Sequence, residues 1–402
     1  MSSADQGLET TFKATAKRSI ADRLANELRF VPVAVGLLAL FIFFATQSEV
    51  FLTSRNLNNL MIQSTVTGII ALGLVFVLLT GEIDLSVAGT SGVASVFMAK
   101  LVVDFGAPVG VAVFAGVMCG VLIGAASGRW ITLIGVPSFV VTLGVGLVLN
   151  GVQLMILPRT GRYNLLNTGV DEIASTTISG AGAWIIFAVA VGAVSWVRWS
   201  SYHARKSQRL PASFGQMVLL PVAIIGGSLL VLVLVLSSLK GLPMPIILFL
   251  GLLGGCAYLT GETRFGLYLY AIGNSAEAAR RAGINVNRIK IAAFAIAGGL
   301  AAFAGILAAS RILGVSVSSG GGIGGGALLL ESIAAAVIGG VSLFGGRGRI
   351  VGVLFGAMII ATVSNGLNLM GVANEARLIV TGLLLVLAVS IDRGIEKIAG
   401  PS

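Results

Sequence analysis

Two carboxylates follow a long apolar run directly, in the segment Thr80-Gly81-Glu82-Ile83-Asp84-Leu85-Ser86. Because carboxylates at membrane depth cost on the order of a few kcal/mol each, they often mark the path of a polar solute. Glu82 and Asp84 would point to one side only in an extended backbone, which predicts an unwound joint with Asp84 or Ser86 capping the next helix. Two interpretations stay open: a cap with a salt bridge to a basic loop, favoured for Asp84, and a polar break that lines a path for a hydroxylated solute.

A second polar cluster predicts a short helix in a basic loop. Asn274-Ser275-Ala276-Glu277 has the N-x-x-E form of a helix start with a capping box, and Gly283 is placed to end that helix. Arg280 and Arg281 follow Glu277 at the spacing at which charges pair on a helix. An isolated surface helix of two turns is marginal in water, so the pattern predicts a docking partner. Charge that only set the membrane topology would need neither a cap nor a stop.

The sequence gives little indication of catalysis. Residues 344–349 (F-G-G-R-G-R) look like a phosphate loop only superficially, because G-x-x-x-x-G-K-[ST] is absent from the chain. A tight turn with two arginines explains them. The single histidine, His203, has no evident partner, and Cys119 and Cys256 lie in apolar runs. We therefore expect no catalytic residues, no metal site and no cofactor, so any energy for uphill transport must come from another protein or gradient.

The composition is that of a membrane protein. The chain has 402 residues, of which 56% are hydrophobic and 10% charged, and its mean hydropathy is +1.00. Soluble domains are about 45–50% apolar and about 25% charged, which excludes an ordinary water-soluble protein. The net charge of +10 is read as membrane topology rather than as nucleic-acid binding.

The elements that must position these residues are membrane spans. A span needs about 20 mostly apolar residues, and the charge-free runs predict twelve of them. With the N-terminus inside, 19 of the 26 Lys and Arg residues fall on the cytoplasmic side, as the positive-inside rule requires. Residues 1–30 and 392–402 are then cytoplasmic termini. The first span has no cleavage site after it and is expected to remain as a signal anchor.

The spans divide into two halves around an insertion. Five spans lie in residues 31–173 and five in residues 241–391, with an inserted helix pair and its basic loop in residues 174–240. An odd number of spans per half places the halves in opposite orientations, the arithmetic of an inverted repeat. We therefore predict an all-α polytopic membrane protein with a ten-helix core, an added pair, and a cytoplasmic loop at residues 262–290.

The third span of each half is unusual. Residues 85–100 are short and contain two glycines, and residues 327–346, preceded by a glycine-rich loop, are interrupted by Glu331 and Gly339-Gly340. Short or glycine-broken helices at matching places in two halves indicate a transport path. Small residues also let helices approach closely, and both interpretations stay open.

Several motifs, in order along the chain, resemble the permeases of monosaccharide ABC importers. The resemblance covers the chain from about Leu52 to the last span. The ten-span core is similar to ribose-type members, and the inserted pair, with residues 207–215 between its helices, resembles the xylose-type branch. The motifs are R-N-L-N-N-L at 55–60, G-E-I-D-L-S-V at 81–87, V-P-S-F-V-V-T-L-G at 136–144, A-I-G-N at 271–274 with E-A-A-R at 277–280, G-I-N-V-N-R at 283–288, residues 333–343, and N-G-L-N-L at 365–369.

This resemblance implies a permease homodimer in a bacterial inner membrane, with a periplasmic sugar-binding protein outside and a separate ATP-binding subunit inside. It also implies that the short helix of the basic loop docks on the ATPase, and that the cargo is a pentose such as xylose. Ala88 and residues 329–332 depart from the family pattern in the third spans, which leaves the identity of the sugar open. The predicted coupling residues are Asn274, Glu277, Ala278, Arg280, Arg281 and Gly283, and the candidate path residues are Glu82, Asp84, Ser86 and Glu331.

The alternative is an ion-coupled secondary transporter of a small polar solute, since inverted halves suit it equally. It would need acids inside spans to bind the coupling ion, for which only Glu82, Asp84 and Glu331 are candidates, and it leaves the capped loop unexplained. A channel or a non-transporting scaffold would not account for the two glycine-broken helices.

Overall fold

The computed structural model describes residues 30–210, 212–239, 241–321 and 326–399. The predicted N-terminal segment 1–30 lies outside the described residues except for Phe30, and so does the middle of the predicted glycine-rich loop. Within the predicted tail 392–402, the last helix continues to Ala399.

The described chain is predominantly helical. Before the insertion lie α1 (Phe30–Gln47), α2 (Ser54–Leu79), α3 (Val87–Val103), α4 (Val109–Ile134), α5 (Ser138–Ile156) and the one-turn α6 (Glu172–Ser175). The inserted pair is α7 (Ala181–Ser207) and α8 (Leu220–Leu239), the latter preceded by a π-helical turn (Gly215–Leu219). The remaining helices are α9 (Met244–Gly261), α10 (Arg264–Asn274), α11 (Ala276–Arg281), α12 (Val286–Arg311), α13 (Gly326–Ile338), α14 (Gly352–Leu369) and α15 (Asn374–Ala399).

Eight helices among the described residues are long and apolar enough to cross a membrane: α2, α4, α5, α7, α8 with its π-helical turn, α9, α12 and α14. Four shorter apolar stretches lie in α1, α3, α13 and α15. The predicted class, an all-α polytopic membrane protein, is confirmed. The count of twelve spans stays a prediction.

Two long helices form the centre of the fold. Residues 64–79 of α2 are all buried, and α12 packs along α2, α3 and α4. The largest cluster of buried apolar side chains joins Phe76 of α2 and Phe249 of α9 to small residues of the second half, such as Ala304 and Ala335. A helix that is apolar all round is typical of such an interior position.

Glycines permit a close approach between helices where α4 crosses α12. A Cβ atom on Gly120 of α4 or on Gly298 of α12 would collide with the backbone of the other helix, and one on Gly124 would collide with the carbonyl group of Phe294. Small residues allow backbones in a membrane to pack closely, where van der Waals contact replaces the hydrophobic driving force. Helices α4 and α12 are therefore joined at backbone contact.

Two short antiparallel ribbons connect the ends of distant helices. Their strands are β1 (Arg162–Asn164) with β4 (Gly314–Ser316), and β2 (Thr177–Ile178) with β3 (Leu242–Pro243). Beside the first ribbon, Lys100 donates to Asp104 Oδ2 (2.8 Å) and the hydroxyl of Tyr163 donates to the same oxygen (2.7 Å). These two bonds hold the pKa of Asp104 below its usual range, and the bond from Lys100 has the larger effect.

The inserted helices α7 and α8 pack on each other and on the segment that leads into α9. Ala183 of α7 is fully buried there against Val233 and Leu236 of α8, together with Leu242 and Ile246. The pair lies within residues 174–240, where the sequence predicts an insertion.

The third span of each half differs in detail from its prediction. The glycines of α3 do not break the helix; a Cβ atom on Gly92 would collide with Gln153 of α5, which supports close approach as their role. In the second half, α13 runs through Glu331, so the prediction of an interruption there is wrong, but the helix ends at Ile338, directly before the predicted break at Gly339-Gly340. The chain turns at Gly340, whose φ of +87° is a conformation that favours glycine.

Candidate functional site

Three loop segments meet at one end of the bundle, and we call this place the loop junction. It comprises the break between α2 and α3 (residues 80–86), the elbow between α10 and α11 (residues 273–276), and the turn at residues 344–349. The amide of Gly346 donates to Leu79 O (3.0 Å), and Asn274 Nδ2 donates to Gly346 O (3.4 Å). A Cβ atom on Gly273 would collide with both Leu79 O and Gly346 N. Three motifs that are separate in the sequence thus form one site.

The break between α2 and α3 is non-helical, as predicted. Its peptide groups bond to hydroxyls of α5: Ile83 N donates to Ser138 Oγ (3.1 Å), and Leu85 N donates to Thr142 Oγ1 (3.0 Å). Because an unpaired peptide N–H is costly away from water, these two side chains stabilise an unwound segment inside the bundle.

Asp84 is buried and holds the end of the break. Its Oδ1 accepts from the amide of Ser86 (2.8 Å) and from Ser86 Oγ (2.6 Å). The predicted cap therefore exists in altered form: Asp84 binds Ser86, the residue before α3, and Ser86 itself makes no side-chain bond to the first turn.

Glu82 forms an ion pair with Lys290 in the first turns of α12. Both side chains are largely enclosed, with 18% and 17% of their surface exposed. This is the salt bridge to a basic loop that the sequence leaves open as one interpretation. The pair links the break to the loop at residues 262–290.

The short helix α11 forms where the sequence predicts it, but its cap is a different residue. Asn274 belongs to α10 and donates from Nδ2 to Tyr270 O (2.8 Å), so the prediction that Asn274 is the N-cap is wrong. Ser275, whose backbone is extended, accepts at Oγ from the amide of Ala278 (3.2 Å) and caps α11. The preceding helix, which the motif alone does not reveal, takes the asparagine side chain.

The charged residues of α11 lie on its exposed surface. Glu277 accepts from Arg280 Nη1 (3.2 Å) and Arg281 Nε (3.1 Å), as predicted from their spacing. Gly283, with φ of +83°, follows the helix end. An acid near the start and two bases near the end of a helix also complement its dipole.

The opposite face of α11 is supported by its neighbours. Ala279 is buried with Ile272 of α10 and Val286 of α12. The expectation of an isolated helix is therefore wrong, because α11 packs between α10 and α12. Its charged face remains exposed at the surface.

A polar cavity of about 310 Å³ lies between α2, α13, α14 and the end of α12. Small-molecule sites typically measure about 300–1,000 Å³. The lining combines donors and acceptors on several helices, as recognition of a polyhydroxylated solute requires. Its polar residues are Gln63, Thr67, Arg311, Ser318, Glu331, Ser364 and Asn368.

Of the four candidate path residues, Glu331 lines this polar cavity. Glu82, Asp84 and Ser86 lie instead at the loop junction, where they form the bonds described above. The four predicted path residues therefore lie at two separate places, Glu331 at the polar cavity and the other three at the loop junction.

Two polar pairings in the structure cannot be predicted from the sequence. Gln153 of α5 donates from Nε2 to Ser316 O (2.9 Å) and Ser319 O (3.0 Å), which fixes the loop that leads to the cavity wall. Asn56 of α2 and Asn365 of α14 are buried and exchange two amide hydrogen bonds of 2.9 Å. A lone Gln or Asn in an apolar run gives no signal of its partner; the two asparagines do lie in motifs of the resemblance.

The chain matches the family model described as branched-chain amino acid transport system / permease component over residues 56–389. The xylose transport system permease protein XylH of Escherichia coli K12 is 36% identical over 297 residues, covering 72% of this chain and 74% of that protein. The corresponding protein of Haemophilus influenzae is 33% identical over 304 residues, covering 72% and 76%.

A further relative is the ribose import permease protein RbsC of Escherichia coli K12, which is 33% identical over 289 residues, covering 72% of this chain and 71% of that protein. No solved structure matches the chain. The resemblance to permeases of monosaccharide ABC importers, and to their xylose-type branch, is confirmed. The chain belongs to the family of branched-chain amino acid transport system / permease components.

Proposed function

We propose that this protein is the permease subunit of an ABC-type importer for a pentose such as xylose, in a bacterial inner membrane. The observation that carries the proposal is the loop junction. There the elbow that leads to the capped, charged helix α11 bonds to Gly346 of the turn at residues 344–349. The amide of Gly346 bonds in turn to Leu79 at the end of α2. The xylose and ribose permeases among its relatives support the choice of cargo.

The chain crosses the membrane twelve times, with both termini in the cytoplasm and its two five-helix halves inverted. The packing supports this arrangement, because α4 lies on α12 as α14 lies on α2, and α3 contacts α5 as α13 contacts α15. Exchanged contacts of this kind are expected of halves related by a two-fold axis in the membrane plane. Two copies assemble as a homodimer, as the family resemblance implies.

The loop at residues 262–290 docks on a separate ATP-binding subunit, which supplies the energy, while the permease itself is not an enzyme. The exposed ion pairs of α11, the hydrogen bond from Asn274 to Gly346, and the close approach of Gly273 to Leu79 support this role. ATP binding and hydrolysis on the partner shift the dimer between outward and inward openings. The docking set is Asn274, Glu277, Ala278, Arg280, Arg281 and Gly283.

The sugar, delivered by a periplasmic binding protein, passes through the polar cavity. Glu331 accepts hydrogen bonds from sugar hydroxyls, and Arg311, Gln63 and Asn368 contribute donors at the same cavity. Asp84 and Ser86 act at the break, where they hold the start of α3 while the path opens and closes.

The test is uptake of labelled xylose into proteoliposomes that contain this chain, the ATP-binding subunit and the sugar-binding protein. We expect uptake that requires ATP and both partners, that ignores ionophores, and that stops with a catalytically inactive ATP-binding subunit. Uptake by this chain alone that collapses with the ion gradient would instead establish an ion-coupled secondary transporter.

The same assay tests the cavity through Glu331→Gln. A hydrogen bond to a charged group contributes about 1 kcal/mol more than one to a neutral group such as the amide introduced here. The KM for xylose should therefore rise about fivefold, while basal ATP hydrolysis is retained. Glu172→Gln, in the one-turn helix α6 and outside the cavity, is the matched control. An unchanged KM in Glu331→Gln would remove Glu331 from the path.

A further inference from the structure

The inserted helix pair carries an unusual charge pattern. Between Glu172 and Glu262 the sequence contains no Asp or Glu. Four basic residues of this stretch lie together near the end of α7 and in the turn after it, with His203 among them. They are Arg198, Arg205, Lys206 and Arg209.

A stripe of aromatic rings adjoins these charges. Trp196 and Trp199 are 67% and 45% exposed, and their ring centroids are 5.7 Å apart. The ring of His203 lies 4.5 Å from that of Trp199, and its Nδ1 contacts Trp199 O (3.1 Å), so the expectation that His203 has no partner is wrong. Lys206 Nζ lies 5.8 Å from the ring of Tyr202. Exposed rings next to exposed bases are the composition of a membrane–water interface.

Glu262, the residue after α9, forms an ion pair with Arg198 and a hydrogen bond with Ser201, both of α7. Arg198 Nη1 lies 3.6 Å from Glu262 Oε1, and Ser201 Oγ donates to Glu262 Oε2 (2.8 Å). Among the residues that the structure describes, no salt bridge joins a carboxylate to Arg205, Lys206 or Arg209, all of which are exposed. Three positive charges thus face outward without neutralisation by an acid.

The length of α7 places this end at the membrane surface. Its 27 residues span about 40 Å, whereas the hydrocarbon core measures about 30 Å. Measured from Ala181, the first residue of α7, Trp199 lies about 27 Å along the axis, so Trp199 lies near the far boundary of the core when Ala181 lies at the near one. Residues 202–210 then lie at headgroup level.

We propose that this surface, formed by Trp196, Trp199, Tyr202, Arg205, Lys206 and Arg209, binds anionic phospholipid headgroups. The charge complementarity is direct, since each Lys or Arg near an anionic bilayer surface strengthens binding about fivefold. The rings fix the depth at which the charges sit. Through Arg198 and Ser201 this lipid-binding end is bonded to Glu262, the first residue of the loop at residues 262–290.

The experiment uses tryptophan fluorescence of the purified full chain in vesicles. Trp130→Phe with Trp184→Phe leaves Trp196 and Trp199 as reporters. Two sets of vesicles have the same content of phosphatidylglycerol and phosphatidylcholine. In one set the phosphatidylglycerol carries brominated acyl chains as the quencher, and in the other set the phosphatidylcholine does, with the same mole fraction of brominated lipid. We expect brominated phosphatidylglycerol to quench about twofold or more strongly than brominated phosphatidylcholine, with the difference shrinking in high salt.

Two controls make the outcome decisive. Arg205→Gln with Lys206→Gln and Arg209→Gln should bring the quenching ratio to one. The second control is a variant in which Trp184 is the reporter, because the other three tryptophans are replaced by Phe, and in which the basic surface is unchanged. Trp184 should be quenched equally by the two brominated lipids. Equal quenching by both lipids at Trp196 and Trp199 would overturn the proposal and leave these charges as topology signals or as a site for an acidic protein. A preference that persists in the triple variant would overturn it as well.

Discussion

At the scale of single residues, the break before α3 depends on a few side chains that replace lost helical hydrogen bonds. Ser138 and Thr142 accept from the amides of Ile83 and Leu85, and Asp84 accepts twice from Ser86. A polar group inside a membrane domain without such a partner is expensive. These four polar side chains are therefore what permits a helix to begin in the interior.

Asp84→Ala and Asp84→Asn should separate the acceptor role of Asp84 from its charge. The alanine variant leaves the buried amide of Ser86 without an acceptor, at a cost of about 1–3 kcal/mol, and its thermal midpoint in detergent should fall by several degrees. The asparagine variant keeps an oxygen at Oδ1 that can accept from the amide and the hydroxyl of Ser86, so it should stay close to the parent. The measurement is the folded fraction on size exclusion after heating.

If both variants lost the same stability, the charge of Asp84 rather than its hydrogen bonds would hold the break. If neither lost any, the break would be stabilised by the hydroxyls of α5 alone.

The sequence predicts the unwound break and its cap, but it does not predict the side chains of α5 that stabilise the break. The i,i+2 carboxylates predict an unwound joint with a cap, because extended backbone and capping follow from local geometry. Ser138 and Thr142 carry no such signal, since a hydroxyl in an apolar helix can bond its own backbone; Thr142 also does so with Ser138 O (2.9 Å). Only the packing of α5 against the break selects them.

At the scale of elements, the ion pair of Glu82 and Lys290 joins the start of α12 to the segment before α3. Breaking a pair buried on this scale costs up to about 3–5 kcal/mol, less here because both side chains retain some exposure. A displacement of the loop at residues 262–290 would therefore be transmitted to the break before α3 through this ion pair.

We expect Glu82→Lys and Lys290→Glu each to lower the amount of sugar transported per ATP hydrolysed, and the double exchange to recover part of it. The readout is xylose uptake together with ATP hydrolysis in the reconstituted complex. Lys100→Gln, which removes a more exposed pair with Asp104 (2.8 Å), is the matched control and should change coupling little. Normal coupling in both single variants would show that the pair only supports the fold.

Helix positions were predictable where length and apolar composition decide, as for α2 and α12. Helix ends were less so. Asn274 reads as a cap in the motif, yet α10 extends through it and leaves Ser275 to cap α11. The end of α13 was easier to predict, because Gly339-Gly340 marks a break in the sequence and the helix ends at Ile338, before the positive φ of Gly340.

At the scale of the whole molecule, the inverted halves make a topological prediction. In a chain with Cys119 and Cys256 replaced by Ala, a membrane-impermeant maleimide should label Thr160→Cys in intact cells and Arg281→Cys only after permeabilisation. Both positions are exposed, and five and eight predicted spans precede them. Labelling of the two cysteines from the same side would contradict the twelve-span arrangement.

One helix carries a mechanical consequence for the entire molecule. Near its beginning, α5 bonds the break before α3 through Ser138 and Thr142. Fifteen residues after Ser138, it bonds the loop before α13 through Gln153. An α-helix of that length, about 22 Å, behaves as a stiff rod. The two joints therefore cannot move independently: tilting α5 displaces both together, and holding either one still anchors the other.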